Sequence, residues 1–209
     1  MNRKLILTLL IMLLLSLSGC QSISNAKTST IHIDKKGQVS SITVESLPAE
    51  QYQEEDLKAL VEQTIADYNA KEDSKSITLD KLSVKKEQAR LIMKYNSVTD
   101  YEKFNGRILF AGTVIAAKEA GYDFSIDFID VDKASIKGSD IIINDKEARI
   151  VITNEPVQVQ TLKDILYVSP NVTIVDKRIA QVEAEGTATD NGITFGNSEY
   201  AYIIYQKQN

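Results

Sequence analysis

One cysteine, Cys20, and one histidine, His32, stand in 209 residues, and there is no tryptophan. A single cysteine forms no intramolecular disulfide, and one cysteine with one histidine supplies too few ligands for a zinc site. His32, between Ile31 and Ile33 on an expected first strand, reads as a solvated strand histidine, and without a second histidine no Ser-His-Asp triad is supported. Positive charge is also scarce: 24 Lys and Arg stand against 29 Asp and Glu. This argues against nucleic acid as a partner, because phosphates demand concentrated Lys and Arg. The acidic surplus is spread along the chain, so no polybasic membrane patch is expected either. Gly106, Gly112 and Gly121 do not form G-x-G-x-x-G, and G-x-x-x-x-G-K-[ST] does not occur, which removes the usual phosphate cradles. The greasy run Leu5 to Leu17 covers about thirteen residues, short of the roughly 20 that a spanning helix needs.

What is there begins with that run. Arg3 and Lys4 precede it, no charge interrupts it, and the small-residue string Leu17-Ser18-Gly19-Cys20 ends it. This is the anatomy of a secretory signal. Its ending resembles the lipobox of bacterial lipoproteins, which implies that residues 1–19 are removed and that Cys20 takes a diacylglyceryl group. Two acyl chains give stable attachment where one does not. The expected location is the outer face of the cytoplasmic membrane, with membrane lipid as the partner of Cys20. Loss of Arg3 and Lys4 leaves 22 basic against 29 acidic side chains, a charge of −7. Residues 20–29 are polar and small and read as a flexible lipidated tether.

The remainder has the hydrophobic content of a globular protein, 43%, enough for one good core or two small ones. Ile31 to Ile33 and Val39 to Leu47, joined through Lys35-Lys36-Gly37, predict a hairpin ended by Pro48. Leu57, Leu60, Val61, Ile65 and Tyr68 form an apolar stripe at helical spacing, with Glu54, Glu55 and Asp56 in the first turn. A helix docked along that stripe predicts a large loss for Leu60→Ala, roughly 2–5 kcal/mol. Ile77 to Val84 and Ala89 to Tyr95 read as strands. Ser97 and Asp100 predict a helix start, Asn105-Gly106 its end, and Thr113 to Ala120 before Gly121 a further helix.

From Tyr122 onward the chain reads as short strands. They are centred on Phe124–Phe128, Ile141–Ile143, Ile150–Ile152, Val157–Val159, Ile165–Val168, Val172–Val175, Ile179–Val182 and Tyr200–Tyr205, with Asn191-Gly192 as a hairpin turn. The expected fold is α+β: an N-terminal antiparallel sheet with helices packed on it, then a β-rich C-terminal part. The boundary is placed between an α+β domain, 30–135, and an all-β domain, 136–209, with one continuous domain as the alternative.

Several strings are familiar together: Tyr95-Asn96-Ser97, Asp100 to Asn105, Leu109-Phe110-Ala111-Gly112-Thr113, Ala120 to Phe124 and Ile165 to Ser169. With the lipobox, they resemble uncharacterised lipoproteins of Gram-positive, Clostridia-type bacteria over roughly residues 38–170. The resemblance implies surface location and brings no activity, cofactor or site residue with it. On the residues alone, Tyr101 and Phe104 read as core plugs and Gly112 and Gly121 as helix ends.

The most concentrated carboxylates are Asp123, Asp127, Asp130 and Asp132. With Phe124, Ile126 and Phe128 facing inward, Asp123 and Asp127 share a strand face. Such a pair suits acid and base roles in glycoside hydrolysis or a hard cation, although Ala134 stands where a calcium loop places its third acid. The plain reading is a solvated strand face. Ser83-Val84-Lys85-Lys86 matches S-x-x-K but lacks the partner motifs of the penicillin-recognising enzymes. Tyr200 and Tyr202 share a face of the last strand, either as core or as a row for a sugar or a protein partner. No catalytic residue, metal or cofactor is assigned. The expected function is a lipid-anchored extracellular protein acting as a non-enzymatic binding or scaffold module. Its alternatives are a glycan- or small-molecule-binding accessory lipoprotein, and a hydrolase using carboxylates around Asp123 and Asp127.

Overall fold

The computed structural model describes residues 23–47, 53–72, 74–85, 87–184 and 200–207. The expected signal run, Cys20, Pro48, Lys86 and the expected Asn191-Gly192 turn lie outside the described residues.

Local rules account for the first elements. Strands β1 (Thr30–Ile33) and β2 (Val39–Ser46) pair antiparallel. Their turn is fastened by the Asp34 carboxylate, which accepts from the backbone of Lys36 at 2.7 Å and of Gln38 at 2.9 Å. Gly37 takes a φ of +81° there, open to glycine at little cost. Helix α1 (Glu54–Lys71) follows, then the antiparallel pair β3 (Ile77–Lys85) and β4 (Gln88–Tyr95). In helix α2 (Val98–Asn105), the Ser97 hydroxyl accepts from the Asp100 backbone at 3.0 Å, and Gly106 closes the helix in the left-handed region. Strand β5 (Leu109–Thr113) leads straight into helix α3 (Val114–Glu119), capped by the Thr113 hydroxyl.

One departure within the expected all-β tail is a helix. Gly138–Asn144 is a helix, α4, where the Ile141–Ile143 run predicts a strand. Strands β6 (Asp127–Asp130) and β7 (Ser135–Lys137) precede it. After it come β8 (Arg149–Thr153), β9 (Gln158–Gln160), β10 (Ile165–Val168), β11 (Val172–Asp176), β12 (Ile179–Val182) and β13 (Ala201–Tyr205).

The result is α+β and sheet-rich, as expected. One sheet has seven strands in the order β11-β12-β9-β1-β2-β4-β3, and the other six in the order β5-β8-β13-β10-β6-β7. All pairs are antiparallel except β1 with β9, where Thr30 registers with Gln158. Both sheets therefore draw strands from either side of residue 135, and the division drawn at 135/136 separates neither of them.

Alternation explains the layering. Ile31, Val39, Met93 and Tyr95 of the seven-stranded sheet share one core with Leu109, Val151, Ile203 and Tyr205 of the six-stranded sheet. The opposite face of the six-stranded sheet offers Ile150, Ile152, Tyr202 and Ile204, which pack with Val114 and Ala117 of α3 and Ile141 of α4. The six-stranded sheet is thus buried on both faces. The free face of the seven-stranded sheet carries a small third cluster, in which Ile23 covers Ile42 and Ile92.

That third cluster takes in part of the expected tether. Ile23–Asn25 form a single 3-10 turn, and Ile23 is only 6% exposed. The segment 20–29 is therefore held to the sheet from Ile23 onward.

Helix α1 carries its stripe as expected, but along a narrower line. Ile65 is buried, Val61 and Tyr68 pack against the main core, and Leu60 is 64% exposed. Positions 61, 65 and 68 repeat at four and three, whereas 60 lies about 100° round the helix from 61. The expected cost for Leu60→Ala is thereby overturned. Ile65→Ala is expected to cost about 2–5 kcal/mol through lost burial and a residual cavity, and Leu60→Ala under about 0.5 kcal/mol. Urea midpoints of the two variants check this; equal midpoints would contradict the orientation of α1.

Tyr101 and Phe104 plug the core as the sequence suggests. Tyr101 is 2% exposed, and its ring stands edge-on to Tyr95 at 4.9 Å. Its hydroxyl donates to Glu155 Oε2 at 2.6 Å, and burial followed by that carboxylate pushes its ionisation well up.

Candidate functional site

A concavity lies over the outer layer, between the end of α3 and the side of α4. Gly121 ends α3 at a φ of +95°. Its backbone N–H donates to Lys118 O at 3.0 Å, and that of Tyr122 donates to Ala117 O at 3.1 Å. These are the two bonds of a Schellman closure, which needs a left-handed residue at the position Gly121 holds. The chain then turns sharply, and the cleft of about 640 Å³ opens beneath it.

One wall is the loop Gly121 to Ser125, the other is Ser139, Ile142 and Ile143 of α4, and Lys118 stands at the rim. Phe124 is mostly buried and stacks on Phe128 with ring centres 5.9 Å apart. Ile143 is 73% exposed. A seven-residue helix packed on a sheet through Ile141 has no room to bury Ile143 as well, because two positions along a helix point to nearly opposite sides. The Ile141–Ile143 run thus becomes one core residue, one half-buried residue and one exposed residue at the mouth of the cleft.

Among the four acids, only Asp123 lines this cleft. Its Oδ1 accepts from the Ser125 backbone at 2.7 Å and its Oδ2 from the Ser125 hydroxyl at 2.9 Å. The backbone bond first, then the hydroxyl, hold its carboxyl below the usual range. A general acid of a glycosidase requires the opposite shift. Asp127 is engaged elsewhere: both of its oxygens take Lys137 Nζ, at 2.6 and 2.9 Å, across the β6–β7 pair. Asp130 accepts from the backbone of Asp132 and Ala134 and so shapes the next turn. Strand β6 begins only at Asp127, so Asp123 and Asp127 do not share the strand face expected of them. Among the described residues, no group of three or more His, Asp or Glu is placed to hold a metal.

The chain matches no protein-family model, no curated protein and no solved structure. Its chemistry must therefore be judged from its own residues.

The tyrosine row belongs to the core. Tyr202 is 2% exposed and stands edge-on to Phe124 and Phe128 at 5.9 and 5.8 Å. Burial pushes its hydroxyl up to about 12, and a backbone hydrogen bond from Asp123 opposes the shift. Tyr200 is half-buried and packs edge-on against Tyr122 at 5.7 Å. His32 is half-buried on the face opposite Ile31 and Ile33, with Nδ1 2.9 Å from Gln160 O. Ser83 lies within β3, opposite Arg90, which is no setting for a helix-borne nucleophile. Lys118, Ser139, Ile142 and Ile143, the cleft residues missed in the sequence, carried one weak signal: Gly138-Ser139-Asp140 is a plausible helix start ahead of the isoleucines.

Proposed function

We propose that this protein is a lipid-anchored module on the outer face of the cytoplasmic membrane of a Gram-positive bacterium, where it binds an extracellular protein segment in the α3–α4 cleft. The observation that carries the binding reading is Ile143, largely exposed beside Ile142 over a floor of Tyr122 and Phe124. An apolar mouth with a polar rim is the anatomy of a recognition surface. The rim bears Lys118 and Asp123, one charge of each sign, which suits a polypeptide with mixed charge better than a uniformly ionic ligand. A glycan asks for open aromatic faces, and of the two aromatics under the cleft Phe124 is 7% exposed while Tyr122 is half-buried, its ring packed edge-on against Tyr200 and Tyr202. The acids suited to hydrolysis serve as turn and cross-strand acceptors, which favours a non-enzymatic role.

Location is checked by Cys20→Ser. This variant is expected to lose incorporated palmitate label and to leave the membrane fraction or accumulate as precursor; unchanged fractionation without acyl label in either protein would sink the anchor. Binding is checked with a photo-crosslinking residue at Ile143 in intact cells, with Leu60 as the exposed control. A discrete protein adduct is expected from Ile143 alone, and it should disappear when Ile142→Asp is added. The same adducts from both positions, or adducts that survive Ile142→Asp, would refute the cleft as the binding site.

A further inference from the structure

The chain that enters from Cys20 is pinned to one face of the fold. Ile23 packs on Ile42 and Ile92. Arg90 reaches over and donates through Nη2 to Ser24 O at 3.2 Å and Ala26 O at 2.6 Å. Ser29 continues the seam: its Oγ accepts from Val44 N at 3.0 Å, and its carbonyl accepts from Gln158 N at 2.9 Å. Only three peptide steps separate Cys20 from Ile23, a reach of at most about 11 Å. The sheets and the helix layer beyond them are together far thicker than that, since stacked sheets alone lie about 10 Å apart.

The same face carries a charge pattern that the linear chain does not show. Residues opposite one another in a ladder share a face. Arg90 registers with Val44 and Ser83, Lys94 with Ser40 and Thr78, Lys81 with Ile92, and Lys85 with Gln88. Lys81, Lys85, Arg90 and Lys94 therefore lie on the side of Ile42 and Ile92. Lys27 is exposed on the segment that crosses it. Asp80, in the β3 bulge, is ion-paired to Lys94 at 2.8 Å. Among the described residues of β1 to β4, this face holds four basic side chains and one acidic one, in a mature chain of charge −7.

We infer that the free face of the seven-stranded sheet, around Ile23, lies against the anionic headgroup layer of the membrane that holds Cys20. The inference rests on the lipidation of Cys20 and adds an orientation to it. Each basic side chain near an anionic surface adds to the attraction, which fades within a Debye length. A reach of at most about 11 Å holds Ile23 at about one Debye length from the membrane or closer. The α3–α4 cleft sits behind the six-stranded sheet, on the far side of both cores, and so points away from the membrane toward the exterior.

The test uses the full lipidated protein in vesicles containing phosphatidylglycerol. The Cys20 thiol is consumed by the thioether, so an introduced cysteine is the sole thiol. A fluorophore is placed at Thr78→Cys or Gln88→Cys on the basic face, and at Ser125→Cys or Ser139→Cys beside the cleft. A quencher attached to lipid headgroups is expected to quench the first pair several-fold more than the second. Ile23→Asp, which undocks the turn, should erase the contrast, and the Lys81→Glu, Lys85→Glu double variant should reduce it. Mass spectrometry of the same samples reports the acyl group. Equal quenching at both pairs, or stronger quenching at the cleft pair, with the acyl mass present overturns the orientation and leaves the anchor standing. Absence of the acyl mass overturns the anchor and the orientation with it.

Discussion

Tyr202→Ala is expected to destabilise the protein by about 3–5 kcal/mol, the usual loss for truncating a large buried aromatic. Tyr202 is 2% exposed and lies between Phe124, Phe128 and Tyr122, with ring centres at 5.9, 5.8 and 6.4 Å. Ala at this site leaves three edge-on contacts without a partner and a cavity between the six-stranded sheet and its helices. Tyr202→Phe keeps the ring and gives up only the hydroxyl. Its expected cost is about 1 kcal/mol. Urea midpoints of the two variants make the comparison. A binding row on the surface would show the reverse pattern: both variants near wild-type stability, with ligand affinity changed. A midpoint for Tyr202→Ala close to that of the wild type would therefore remove this residue from the core.

Gly138→Ala is the second large effect, and it arises from space. Gly138 begins α4, and its N–H donates to Ile126 O at 3.2 Å. A methyl group on it would meet the Phe124 carbonyl oxygen at 2.2 Å and the Phe128 ring at 3.0 Å. The first contact is with backbone, so no side-chain rotation relieves it. Either the Gly121–Ser125 loop or α4 must move, and both are walls of the cleft. Overpacking of this kind costs about 1–3 kcal/mol and sometimes more. The expected result is a lowered melting temperature together with loss of the Ile143 crosslink. A Gly138→Ala protein with wild-type stability would show that the loop yields freely and that the cleft is not a preformed shape.

Much of the local structure was legible because local rules decide it. Ser97 and Asp100 mark the start of α2, Gly106 its end, and Gly121 the end of α3, each through an orphan backbone group that only certain residues satisfy. The β1–β2 and β3–β4 pairs were legible as adjacent strands around short turns. The Ile141–Ile143 run was not, since a short apolar run has no period that separates helix from strand. The Asp123–Asp127 pair failed for a related reason: Phe124, Ile126 and Phe128 alternate, but the strand starts only at Asp127. Leu60 was misplaced because an apolar stripe is broader in sequence than the line a sheet edge covers.

The α+β class, the β1–β2 and β3–β4 pairs and the caps of α2 and α3 could be read along the chain, because these depend on neighbours within a few residues. The sequence also contained the expectation of an anchor at Cys20. Only the tertiary structure decided that β1 runs parallel beside β9, with Thr30 against Gln158, and that the six-stranded sheet is buried on both faces. It likewise gathered Lys81, Lys85, Arg90 and Lys94 beside Ile23, although they are never consecutive in the chain. The physical reason is that alternation tells each strand which residues share a side but not which strand will lie next to it. That choice is made by the burial of whole faces, a property of the assembled layers.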